Sequence, residues 1–155
     1  MSEQLFPVFD VPDLVTEDET MESRNRTSVL WDIEKGDFAR DGASKLIKCN
    51  EREAFQSWCY KMIFTEKFTH LAYNQEIGVE MENAMSQISR ITVETYIQRT
   101  IVEALLVNPL TESVEDFYFE WDSDCVFCEF TVKGIDLEEF DIQVNIRKGE
   151  VNIND

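Results

Sequence analysis

Histidine occurs once in this 155-residue chain, at His70, and glycine only five times. With one imidazole, a Ser-His-Asp or Cys-His pair would have to be built on His70 alone, and the sequence shows nothing for it to face. The few glycines form no phosphate-cradling loop, and neither a GxSxG elbow nor an HExxH helix occurs. Basic residues are scarce: 14 Lys and Arg stand against 32 Asp and Glu, a formal charge of −18. Phosphate backbones and anionic membranes are bound through Lys and Arg, so neither is expected as a partner. No apolar run reaches the length that spans a bilayer, and the acidic start has no basic region ahead of an apolar stretch, unlike a secretory signal.

Four cysteines are present, Cys49, Cys59, Cys125 and Cys128. Cys125-x-x-Cys128 falls in a strand-like run, where a spacing of three puts the thiols on opposite faces. Without a second pair it is half a zinc site, and reduced, buried cysteines are the simpler reading. No metal or cofactor is expected. The Asp122-Ser123-Asp124 triplet has too few oxygen ligands for a calcium loop and suits a hairpin turn. Carboxylate pairs such as Glu120 and Asp122 lie on an outer strand face with no cleft between them, which does not suit a glycosidase. The chain is therefore not expected to be an enzyme.

What the chain does have is apolar mass, 43% of residues including 11 Phe and 3 Trp, arranged with clear periodicities. Residues 1–27 carry two prolines and seven acids without a sustained period. They read as an extended acidic arm whose first part, LFPVFDVPDL, either remains in solvent or docks on the body or a neighbouring subunit. Phe6, Val8, Phe9, Val11 and Leu14 are its candidate contact residues. Residues 28–155 read as one α+β domain. Ser28–Ile33 and Lys45–Cys49 are expected to be short strands of a ribbon. Asn50 with Glu53 forms a capping-box signature, and Ala54, Phe55, Trp58, Cys59, Met62 and Ile63 make the stripe of a helix running to about Phe68. A loop through Gly78 and a short helix over Val79–Met85 follow. Ser89 caps a second long helix over about 91–107, with Val93, Ile97, Ile101, Ala104 and Leu105 on one side, ended by Pro109.

Three alternating strands come next. Phe117, Phe119 and Trp121 share a face, as do Val126, Cys128, Phe130 and Val132, and then Phe140, Ile142, Val144 and Ile146. The tail EVNIND, with Val151 and Ile153, suits a last edge strand. Two main helices packed on a small antiparallel meander is the expected fold. An open edge of such a meander can template another chain, and Phe140 to Ile146 with Val151 and Ile153 are the candidate residues there.

This order of elements resembles the small baseplate wedge proteins that initiate the sheath in contractile phage tails, tail-like bacteriocins and type VI secretion systems. The segments LFPVFDVPDL, WDIEKGDFARDGASKLI, WCYKMIFTEKFTHLAY and RTIVEALLVNPLTESVEDFYFEW look closest to the Gram-positive branch exemplified by the XkdS protein of the defective phage PBSX. The family's Thr-x-x-Gly-Glu-Arg-like segment corresponds to Thr65-Glu66-Lys67-Phe68, which lacks the Gly and Arg. Its aromatic-Gly pair corresponds to Ile77-Gly78, and its Glu-Pro-Arg break to Asn108-Pro109-Leu110. The "lysozyme-like" label that the family often carries finds no catalytic constellation here.

The resemblance implies a structural baseplate subunit that links the tail hub and wedge to the sheath and templates the first sheath ring by strand addition. It also implies, as partners, the tail sheath protein and other wedge and hub proteins, with several copies around the tail tube. The subunit would be assembled in the bacterial cytoplasm and reside in the particle. The charge alone supports a competing expectation, an acidic inhibitor that mimics DNA, although the acids are scattered rather than spaced like phosphates.

Overall fold

The structure is a computed structural model in which residues 28–32, 35–69, 72–148 and 150–153 are described. The contact residues expected in the arm, Phe6, Val8, Phe9, Val11 and Leu14, and the loop residue His70, lie outside these ranges. The fold is α+β as expected, with three helices and small antiparallel sheets among the described residues.

The ribbon is more broken than the sequence implies. Residues 28–33 do not form one strand: β1 (Ser28–Val29) pairs with β4 (Lys48–Cys49), while β2 (Trp31–Asp32) pairs with β3 (Asp37–Phe38). Leu30 sits between them, donating to Ile47 O and accepting from Ala39 N. Trp31 and Phe38 meet edge to face at 5.1 Å, and Lys61 Nζ lies 4.5 Å from the Trp31 ring, which fastens the ribbon to the first helix.

That helix, α1 (Glu51–Phe64), begins at the expected capping box: Asn50 Oδ1 accepts from Glu53 N and Glu53 Oε2 accepts from Asn50 N. It stops four residues before the expected end. Thr65 turns extended and its hydroxyl donates to Lys61 O. The chain then runs beside residue 79 in an isolated parallel bridge, Glu66 with Val79, closed by Val79 N to Thr65 O and Lys67 N to Val79 O. Gly78, at φ +98°, makes this crossing; a Cβ there would stand 2.4 Å from Thr65 O. Phe55, Cys59, Met62 and Ile63 are buried as the stripe predicts, whereas Trp58 is half-buried.

The short helix α2 (Met81–Met85) starts two residues later than expected. The long helix α3 (Arg90–Leu105) is capped by Ser89 and buries all five residues predicted for it. At its end Thr111 Oγ1 donates to Leu105 O and Leu110 N to Asn108 Oδ1, so the turn around Pro109 is satisfied from within.

The strands β5 (Thr111–Asp122), β6 (Cys125–Gly134), β7 (Phe140–Arg147) and β8 (Glu150–Ile153) form one antiparallel sheet in chain order. β5 begins two residues after the proline, well before its aromatic run. It stays in use along its length because of a bulge between Glu115 and Tyr118, with Asp116 at φ +56°. The extra residue inverts the alternation, so Val114 and then Phe117, Phe119 and Trp121 all pack on the core. The rows Val126 to Val132 and Phe140 to Ile146 are buried beneath α1 and α3, with Phe117 stacked on Phe130 at 5.0 Å and Phe55 edge-on to Phe140 at 5.9 Å.

Candidate partner-binding edge

Among the described residues the sheet has four strands, and its two outer ones, β5 and β8, are not alike. β5 is bulged twice, after Thr111 and after Glu115, and carries Glu112, Glu115, Asp116, Glu120 and Asp122. Bulges and charges twist an edge away from regular pairing. β8 is short and regular, in register with β7 from Val144–Ile153 to Arg147–Glu150. It covers only half of β7, so the stretch Phe140–Gln143 pairs with β6 on one side and with no described strand on the other.

The sequence singled out Phe140, Ile142, Val144 and Ile146 as partner contacts. The structure puts these side chains in the core, at 7%, 0%, 0% and 0% exposure. What β7 can offer outward is its backbone beyond the end of β8. Val151 is half-buried against the core, and Ile153 is the last described residue of β8, opposite Val144.

Beside β8 lies a groove of about 290 Å³ that the sequence did not reveal, lined by Ile63, Phe64, Glu66, Thr69, Met81, Glu82, Arg147, Glu150 and Val151. Its floor is apolar and its rim carries three carboxylates to one guanidinium. Glu66 is the organising residue. Its carboxylate accepts from Met81 N at 3.1 Å and Glu82 N at 3.4 Å at the start of α2. Burial holds its pKa above the ordinary carboxylate value, helped by the neighbouring charges of Glu82 and Glu80 and opposed by the two amide hydrogen bonds. The only sequence signal for this role was the Thr65-Glu66 segment.

Burial pushes the thiols of Cys59 and Cys128 up to about 12, so they stay protonated and inert. Cys125 is half-exposed on the opposite face from Cys128, as the strand period required. Among the described residues no three His, Cys, Asp or Glu side chains gather as a metal site, and no helix is long and apolar enough to cross a membrane.

No curated protein matches the chain. Residues 27–137, well over half of it, match the family described as contractile injection system sheath initiator, and the match takes in the ribbon, all three helices and the first two strands of the sheet. The chain therefore belongs to the contractile injection system sheath initiator family, structural components of the baseplate whose neighbours are the tail sheath and other baseplate proteins.

Proposed function

We propose that this chain templates the first sheath ring by accepting a strand at the β8 side of its sheet, while the rest of the fold ties the sheath to the tail hub and wedge. The observation that carries the reading is the asymmetry of the sheet: one outer strand is bulged and acidic, and the other is short, regular and flanked by an apolar-floored groove. A strand laid along β8 would meet unpaired backbone groups and drop alternate side chains toward Phe64 and Met81. Each added backbone hydrogen bond contributes about 0.5–1.5 kcal/mol net, so one such strand binds weakly. Several copies held around a tail tube make the attachments add through effective concentration. The LFPVFDVPDL arm and the VNPLTESVEDFYFEW segment support placement near the XkdS-like, Gram-positive branch.

The test is a pair of single prolines in β8, Val151→Pro and Asn152→Pro. Adjacent residues of an edge strand send their N–H groups to opposite sides, so one proline removes an outward donor and the other an inward one. Particles carrying the first are expected to have tubes and baseplates with little sheath while the isolated subunit stays folded. Normal sheath on particles carrying either proline would refute the reading. Val144 is unsuitable for this test, because it pairs with Cys128 on one side and Ile153 on the other, and proline there breaks the sheet from within.

A further inference from the structure

A second groove, of about 520 Å³, runs between α1 and the turn after α3. Trp58 and Lys61 form one wall, Val107 and Pro109 another, and Tyr73 and Ile77 from the loop before α2 close the side. Tyr73 is 54% and Val107 43% exposed, so the groove shows water a large apolar surface, in the size range of ligand sites. Nothing in the sheath-templating reading uses it.

We propose that this groove is the docking site of residues 5–14 of the same chain, LFPVFDVPDL. Two observations single out this occupant. The segment enters the fold beside the groove: it joins β1 at Ser28, and three residues on, the Trp31 ring lies 4.5 Å from Lys61 Nζ, a groove wall. Its chemistry fits, because Pro7 and Pro12 intersperse Leu5, Phe6, Val8, Phe9, Val11 and Leu14, and grooves lined by aromatic residues hold such proline-spaced apolar segments.

Reach does not limit the contact. The 13 residues 15–27 between segment and ribbon extend to about 45 Å. They include the acidic run TEDETME, which suits a solvated tether. A tether of this kind gives a local concentration on the order of millimolar, so a segment that binds in trans with Kd on the order of 0.1 mM is about nine-tenths docked in cis.

The experiment compares the full chain with its double variant Phe6→Asp, Phe9→Asp by hydrogen exchange at the backbone amides of Tyr73 to Gly78 and Val107 to Thr111. The full chain is expected to exchange about tenfold more slowly there than the variant, with no difference at β6 or α3, matching the cis occupancy. Adding the synthetic peptide 5–14 to the variant should restore the protection saturably, and Val107→Ala in the variant should weaken the peptide. The protection should not depend on protein concentration. Equal exchange in both chains, or protection that rises with concentration and so reports a neighbour's arm, overturns the proposal. The readout involves no sheath, so failure here leaves the edge-strand reading untouched.

Discussion

Gly78→Ala concentrates the strain of the fold into one methyl group. Gly78 has φ +98°, a conformation that L side chains rarely adopt, and a Cβ would stand 2.4 Å from Thr65 O and 3.2 Å from Lys67 N. Both contacts are backbone, and both belong to the crossing that Val79 N to Thr65 O and Lys67 N to Val79 O hold together. The left-handed conformation alone is worth about 1–2 kcal/mol against a residue with a Cβ. Pushing the two segments apart weakens two hydrogen bonds of about 0.5–1.5 kcal/mol each. The sum is about 2–5 kcal/mol, which for a chain of this length lowers Tm by about 4–20 °C.

Gly36→Ala is the control, since Gly36 also has positive φ, +64°, but nothing lies within 4 Å of its Cβ position. It should lose only the conformational part, about 1–2 kcal/mol. Urea unfolding of the two variants side by side gives the answer. Equal losses in the two would refute the claim that close approach of Thr65, rather than backbone conformation, requires glycine at 78. The same crossing positions Glu66, so Gly78→Ala is also expected to disturb the groove beside β8.

Asn50→Ala removes the side-chain arm of the capping box on α1 and leaves the residue-50 amide to donate to Glu53, and the urea midpoint should fall by the equivalent of about 0.5–2 kcal/mol, whereas Asn50→Asp should keep most of it. Glu66 titrates above the ordinary carboxylate value of 4.5 in the fold, so the folded chain holds this proton more tightly than the unfolded one. Its contribution to stability is full below 4.5 and is lost as pH rises through the folded value. Glu66→Gln should therefore gain on the parent chain as pH rises through that window, and a difference in urea midpoint that stays constant with pH would count against it. A thiol reagent near pH 8 should leave Cys59 and Cys128 unmodified in the native protein, because burial pushes both to about 12, and should label them on unfolding; rapid native labelling of either contradicts the packing.

The helices and the two inner strand rows were legible because each is set by one periodicity and a local cap. Asn50 and Ser89 cap as their side chains demand, and every residue of the α3 stripe is buried. The bulge in β5 was not legible. Asp116 gives no sign that it will adopt positive φ, and only the need to bury both Val114 and Phe117 against the same sheet reveals it. The early end of α1 escaped for a similar reason, since Thr65 leaves the helix to bridge Val79, a contact between segments that no local pattern encodes. The candidate edge was half legible. An alternating row tells which residues line a face, and in β7 that face is the core, while the exposed feature is the register with which β8 stops short. The groove beside it is assembled from three separate stretches of chain, so no single window of sequence could contain it.

An edge that accepts a foreign strand faces a problem of its own making, because every copy of the chain carries the same edge. Two β8 strands approaching each other would bring Glu150 and the rim carboxylates Glu66 and Glu82 together, on molecules whose formal charge is −18 each. Like charges brought face to face oppose that pairing, and the groove has one guanidinium, Arg147, to set against three acids. A strand bearing Lys or Arg would meet the opposite situation, and its positive charge would favour the ionised form of Glu66. On the proposed strand-addition reading, the shortage of basic residues would leave the regular edge open to a partner of the other sign while like charge holds copies of the chain apart, and the bulges of β5 would oppose pairing at the other edge by geometry.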